Sequence, residues 1–366
     1  MVGQGNEEIG QSIEVVVDYG SSDFWVFGPN ATVNYGSQFL GFSGACNTTP
    51  DIYYHPDNAS ISNFTGSYSY GGNSKILQAN QVVNDTLFFP SYLPGAPIPN
   101  IQVALVNYGE VRQYVPDGTP CPAISYDLGI MGLAPSDVSD TTGPNLKANL
   151  LAQNRITKPQ ASMFFSPPAA NAPITSNRTG TLLLGALPPA DSYTGDLVPV
   201  PLVIISEGVT GYYIAQPAVS HANASIPSDA PPTTCLIDSG SLAVTLPFGQ
   251  NSTDFLARTG LQDDDYDIVY PSDCEDIPAD LTLDFEIASA ANGTEPKSVK
   301  VKVPYRDLAR GSEGPGGVMP VGKCVLSLSL GDSCVFLGRR GSWARVWGLT
   351  MGREWFGLRR GSCDVR

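Results

Sequence analysis

Two short stretches of this 366-residue chain place a carboxylate at the end of an apolar run and follow it with a tight turn. The first is VVVDYGSS at 15–22 and the second is CLIDSGS at 235–241, so Asp18 and Asp238 share the pattern Asp-x-Gly-Ser. A single aspartate in such a place reads as a turn former, because its side chain caps the local backbone. The doubling argues for more. Each loop is followed far downstream by two apolar residues and a glycine, IMG ending at Gly132 and FLG ending at Gly338, which lie 114 and 100 positions after their aspartates. Carboxylates are proton carriers, and two held together cannot both ionise comfortably, so they share a proton and titrate as a unit. The ionised member of such a pair can take a proton from water while the protonated one donates to a carbonyl oxygen. Other chemistries have little to work with. The chain has only two histidines, His55 and His221, and no Cys-x-x-Cys pair among its seven cysteines. Both histidines read as surface loop residues, and His-based triads, zinc ribbons and thioredoxin chemistry are poor candidates.

The elements around these loops are mostly strands. SIEVVVDY, SNFTGSYSY, NIQVALVNY, TGTLLLGA, TTCLIDSG, LTLDFEIA, KSVKVKVPY and KCVLSLSL are strand-like runs, and several alternate apolar and polar residues at period two. Helical signals are few: GPNLKANLLAQN at 143–154, with Leu146, Leu150 and Leu151 on one face, and STDFLARTG at 252–260. With 38 glycines and 31 prolines the composition suits short strands joined by many turns, and the length suits two lobes. GQGNEEIG at 3–10 has the wrong spacing for a dinucleotide fingerprint and no helix after it.

The net charge of −15 argues against nucleic acid as a partner, and it suits either solubility or an acidic medium. No run approaches the ~20 apolar residues of a membrane span. The opening MVGQGNEEIGQS has no hydrophobic region, yet nine Asn-x-Ser/Thr sequons, at Asn30, Asn47, Asn58, Asn63, Asn84, Asn177, Asn223, Asn251 and Asn292, favour a secreted glycoprotein whose signal peptide is missing from this chain. In that setting the cysteines read as one to three disulfides plus a leftover thiol.

These residues resemble the pepsin-like aspartic peptidases of the secreted, fungal type. IGQSIEVVVDYGSSDFWV is similar to the family's first catalytic loop, with Trp25 at its tryptophan position, and SYSYGG to the flap that closes over substrate. YDLGIMGLAP resembles the segment beneath the first loop, TGTLLLGALPPADSYTGDLVPVPL the junction between lobes, and CLIDSGS the second loop. The resemblance implies an all-β, bilobal fold, two pseudo-twofold-related β lobes enclosing a cleft, here 1–192 and 193–366. It implies an aspartic endopeptidase with Asp18 and Asp238 as the catalytic dyad. Gly20, Ser21, Ser239, Gly240 and Ser241 support the dyad, with Ser21 and Ser241 bonding its outer oxygens. It also implies a monomer that takes a peptide or protein substrate in the cleft, needs no metal or other cofactor, and is secreted, with the vacuole as an alternative. Tyr70 precedes Gly71 as the flap motif wants, whereas Tyr68 aligns through to Ile76 and Val82 without a gap. Both face one side of a strand, and whichever is the flap tyrosine should meet the indole of Trp25. Cys274 and Cys324 match a disulfide common in the second lobe, and Cys46 and Cys121 are a candidate pair in the first. Cys235 reads most simply as a buried apolar residue, with a bridge to Cys334 as the alternative.

Two departures stand out. Tyr19 occupies the place where the family has a threonine or serine that hydrogen-bonds across to the partner loop; Ser239 keeps it in the second. Extra bulk on a packed floor typically costs ~1–3 kcal/mol. This residue supports the alternative of a catalytically impaired pepsin-fold binding or inhibitor-like protein. The second departure is RRGSWARVWGLTMGREWFGLRRGSCDVR at 339–366, which holds seven of the twenty basic residues and three of the four tryptophans. It reads as a non-native tail that leaves the second lobe without its last strands. An unrelated β-sandwich with accidental Asp-x-Gly-Ser turns is disfavoured by the paired IMG and FLG segments.

Overall fold

The strands begin where the apolar runs do. In a computed structural model, β1 (Val15–Asp18) ends on the first aspartate and pairs in parallel with β7 (Gly129–Gly132), setting Asp18 opposite Gly132. The structure describes residues 11, 13–35, 44–47, 54–56, 59–71, 74–88, 97–111, 129–135, 143–165, 172–175, 180–190, 197–205, 211–228, 231–241, 243–249, 252–264, 267–289, 298–310, 322–336, 349–351 and 355–359. They fall into two compact units, 1–155 and 156–366.

The first unit is built on one seven-stranded sheet. β2 (Phe24–Tyr35), β3 (Gly44–Asn47), β4 (Ser60–Tyr70), β5 (Lys75–Leu87) and β6 (Ile98–Val111) join β1 and β7 in the order β1-β7-β2-β6-β5-β4, with β3 on β2. Trp25, Phe27, Val33, Leu77, Val106 and Ile130 form a buried cluster, so β2, β5, β6 and β7 turn apolar side chains inward. Helix α1 (Leu146–Ala152) follows, capped by Asn145, whose side chain accepts the Ala148 N–H at 2.9 Å.

The second unit holds four smaller sheets. One is β10-β24-β23-β8-β9, from β8 (Ala161–Phe165), β9 (Gly180–Leu184), β10 (Leu197–Pro201), β23 (Leu349–Met351) and β24 (Trp355–Arg359). A second joins β11 (Tyr213–Ala215), β14 (Thr234–Ile237), β15 (Val244–Leu246), β21 (Leu328–Leu330) and β22 (Cys334–Phe336) in the order β11-β14-β22-β15-β21. A third, β13-β12-β18-β19, is made of β12 (Ala218–His221), β13 (Ala224–Ile226), β18 (Thr282–Ala288) and β19 (Ser298–Pro304). The fourth is β16 (Gln262–Asp264), β17 (Asp267–Tyr270) and β20 (Cys324–Val325). β19 shows why such runs become strands: Val299, Val301 and Val303 are buried while Lys300 and Lys302 point outward. Helix α2 (Ser252–Thr259) ends at Gly260, whose φ of 71° is the left-handed conformation a helix C-terminus favours in glycine.

The strand content makes the chain all-β, as its period-two runs imply. Three expectations need correction. The tail does not leave its sheet unfinished: β23 pairs with β8, and β24 pairs with both β23 and β10. LTM and WFGLR are strand-forming in themselves, and the basic residues around them hid this. Cys235 is not a free apolar side chain but is bonded to Cys334, in addition to the expected Cys274–Cys324 bridge. His221 is no loop residue: it closes β12, half-buried, with Nδ1 3.1 Å from both the Thr282 carbonyl and the Tyr305 hydroxyl. His55 is exposed. The candidate pair Cys46 and Cys121 lies outside the described side chains. No helix among the described residues is long and apolar enough to cross a membrane.

Candidate functional site

Asp18 leaves β1 into a turn that folds back on its own carboxylate. The Gly20 N–H donates to Oδ1 at 2.7 Å and the Ser21 hydroxyl to Oδ2 at 2.5 Å, so both oxygens are held and the side chain is only 3% exposed. β7 runs directly beneath. Leu133, Gly132 and Ala134 donate their N–H groups to the carbonyls of Asp18, Asp23 and Ser21 at 2.6, 2.8 and 2.8 Å. A Cβ on Gly132 would sit 2.5–2.6 Å from backbone atoms of Ser21, Ser22 and Asp23, so no larger residue fits there without moving the loop. The far side of the loop is clamped by the entry to α1: Phe24 donates its N–H to the Pro144 carbonyl at 2.5 Å, and Asn145 Nδ2 donates to the Ser22 carbonyl at 2.7 Å. Asn145 was not singled out from the sequence, although an asparagine before an apolar helical run is a readable cap.

The second loop repeats the first at the backbone. β14 and β22 pair in parallel, with Ile237 opposite Phe336, and Asp238 follows at once. The amides of Gly240 and Ser241 donate to Asp238 Oδ1 at 2.7 and 3.1 Å. The Ser241 hydroxyl departs from expectation. It donates its one proton to the Ala243 carbonyl at 2.8 Å, so Ser241 supports the carboxylate through its amide, where Ser21 uses its hydroxyl. Ser239 is buried. Tyr213, on the adjacent β11, is a residue that sequence reading missed: burial and the nearby Asp238 charge both push its phenol up.

Above the first loop, both candidate flap tyrosines reach Trp25. The indole Nε1 donates to the Tyr70 hydroxyl at 2.7 Å, whereas the Tyr68 ring stacks on the indole with centroids 6.4 Å apart. Tyr70 begins the turn at Gly71, whose φ is 55°. Its phenol is pushed well up, first by burial and then by the Asp23 and Asp18 carboxylates, with the indole hydrogen bond opposing. Tyr68 is raised by burial and by Asp23. Both therefore stay protonated, and Tyr70 keeps its own O–H to donate while accepting from the indole. Lys75, opposite Tyr70 in the hairpin, holds its ammonium 5.0 Å from the Trp25 ring centroid. Tyr19, between Asp18 and Gly20 in the loop itself, is fully buried.

Helix α1 buries a titratable group of its own. Lys147 is 3% exposed, and burial pushes its ammonium from the ordinary 10.5 down to about 7. The unfolded chain keeps that proton up to roughly pH 10.4. Over the window between, the unfolded state binds more protons, so stability rises with pH; below about 7 the buried charge weighs on the fold in full. Lys147→Met is expected to raise the melting temperature most at acidic pH and to flatten the rise above neutrality. Melting curves across pH check this, and an unchanged slope would refute it.

A family profile described as eukaryotic aspartyl protease matches residues 5–316. The chain belongs to the eukaryotic aspartyl protease family. Among curated proteins it is similar to a probable aspartic-type endopeptidase, opsB, of Aspergillus fumigatus, 26% identical over 247 residues, which cover 65% of this chain and 44% of that protein. It is also similar to secreted aspartic protease 8 of Candida albicans, 28% identical over 273 residues, covering 72% of this chain and 56% of the relative. The chain thus spans about half the length of the curated relatives it matches. Within this aspartyl protease family chain, no three His, Cys, Asp or Glu side chains among the described residues are grouped so as to hold a metal ion.

Proposed function

We propose that this chain is a secreted aspartic endopeptidase that hydrolyses extended peptides at acidic pH, with Asp18 and Asp238 brought together at the floor of a cleft between two lobes, 1–192 and 193–366. The observation that carries the reading is that the two aspartates are anchored alike, each by the amide of a following glycine in a loop backed by a parallel strand. Family membership and the names of the fungal relatives support it.

In the proposed reaction one carboxylate is ionised and the other protonated. The ionised oxygen takes a proton from a water molecule as the water oxygen attacks the peptide carbonyl carbon. The protonated carboxyl donates to the carbonyl oxygen, giving a neutral tetrahedral diol. Proton return to the amide nitrogen and collapse of the diol break the C–N bond and leave a carboxylic acid and an amine. Tyr70, hydrogen-bonded to Trp25, closes the hairpin over the substrate at the first aspartate.

Tyr19 favours a second reading, a pepsin-fold binding protein without catalysis, because its whole ring is packed where the family has a small hydroxyl. Cleavage of an unfolded protein substrate from roughly pH 3 to 7 separates the two. The peptidase reading expects cleavage that fades toward neutrality. A folded but inert protein that gains activity on Tyr19→Thr would replace it with the second reading.

A further inference from the structure

Among the described residues, the outer edge of the first unit's sheet has the makings of an aggregation site. β4 is the last strand in the sheet order, and among the described residues it pairs with β5 alone. It is eleven residues long, SISNFTGSYSY, without a single charge or proline. Ile61, near its start, is 46% exposed. Open edges of this kind template pairing with another chain, and proteins usually blunt them with lysine, proline, a bulge or a cover. Lysine and proline are absent from β4. A register shift between Asn63 and Gly66 supplies the bulge.

That bulge coincides with a sequon, Asn63-Phe64-Thr65. Phe64 packs against the core cluster while Asn63 and Thr65 are exposed, so the acceptor faces solvent on a strand anchored from within. Asn84, in the sequon on the neighbouring β5, is half-buried. It lies between Ser60 of β4 and Gln102 of β6, and its side-chain oxygen is buried with no hydrogen-bond partner.

We infer that Asn63 carries an N-linked glycan that covers the open edge of β4 and keeps the chain monomeric, while Asn84 on the same hairpin stays unmodified. A glycan is bulky and strongly hydrated, so at the bulge it stands where a second strand would have to dock. The inference rests on the secretory route proposed above. A protein glycosylated at other sequons but bare at Asn63 would overturn it while leaving that route intact.

The test is site-by-site glycopeptide mass spectrometry on the full chain secreted from a eukaryotic host, with size-exclusion chromatography and light scattering. Occupancy at Asn63 and none at Asn84 is expected; a bare Asn63 or an occupied Asn84 refutes the assignment. Thr65→Ala, which abolishes the acceptor and leaves Asn63 in place, is expected to shift the protein from monomer to concentration-dependent oligomers. Adding Ile61→Lys is expected to restore the monomer. Should Thr65→Ala not reach the medium folded, trimming the glycans of the folded wild-type protein must produce the same shift. A monomer unchanged by glycan loss removes the protective role. So does equal association of Ser225→Ala, which deletes the exposed hairpin sequon at Asn223 in the second unit.

Discussion

Asp18→Asn is expected to abolish peptide cleavage while leaving the first unit folded. The substitution keeps the shape of the side chain. Its carbonyl oxygen can still accept the Gly20 N–H, and the Ser21 hydroxyl can turn to accept from the new amide group where it now donates to Oδ2. What disappears is the ability to hold and release a proton. Loss of general acid–base catalysis alone is worth about 10²- to 10⁴-fold in rate. The water would also lose the anion that draws its proton. The measurement is kcat on an unfolded protein or long peptide at acidic pH, beside the melting temperature of the same preparation. Cleavage at the wild-type rate by Asp18→Asn would refute the proposed role of Asp18; a large fall in melting temperature would mean that the carboxylate is needed for structure as well.

The second large effect is expected at the disulfide between Cys235 and Cys334. It ties β14 to β22 three residues before Asp238 and closes a loop of 99 residues. Cross-links over loops of this length stabilise by about 2–5 kcal/mol, chiefly by restricting the unfolded chain in the entropic account. Both sulfurs are buried, so Cys235→Ala with Cys334→Ala also leaves a small cavity beside the second loop. The double variant is the right one, because a single change would leave a reactive thiol. Denaturant unfolding of the second unit should show the fall, with activity lost at lower temperature than in the wild type. An unchanged midpoint would mean that strand pairing alone holds β14 and β22 in place.

The parts of this molecule that could be read from the sequence are those fixed by local pattern. The run VVVD and its Gly and Ser neighbours announce a strand, a turn and a held carboxylate, and the same signs recur at Asp238. The period-two runs gave most strands, and helices α1 and α2 fall where their apolar spacing puts them. What escaped depends on partners far along the chain. Cys235 looks like any small apolar strand residue until β22 is laid beside it. Tyr68 and Tyr70 share a face, and only the placement of the indole hydrogen makes one a hydrogen-bond partner and the other a stacking partner. The Ser241 hydroxyl turns to the Ala243 carbonyl, and no pattern in the sequence says so. Likewise His221 acquires its role only from β18 and Tyr305.

The close passage of Gly132 beneath the first loop also sets an order of events in time. β1 and β7 are neighbours in the sheet but 114 positions apart in the chain, from Asp18 to Gly132. A parallel pairing of that span forms only after a long loop has been closed, and such contacts come slowly. Until residues 129–134 have left the ribosome and docked, the amides that hold the carbonyls of Asp18, Ser21 and Asp23 are not in place. The growing chain therefore carries its first aspartate through most of the synthesis of this unit in a turn braced only by its neighbours Gly20 and Ser21, and the first loop gains its support from beneath only with the arrival of β7.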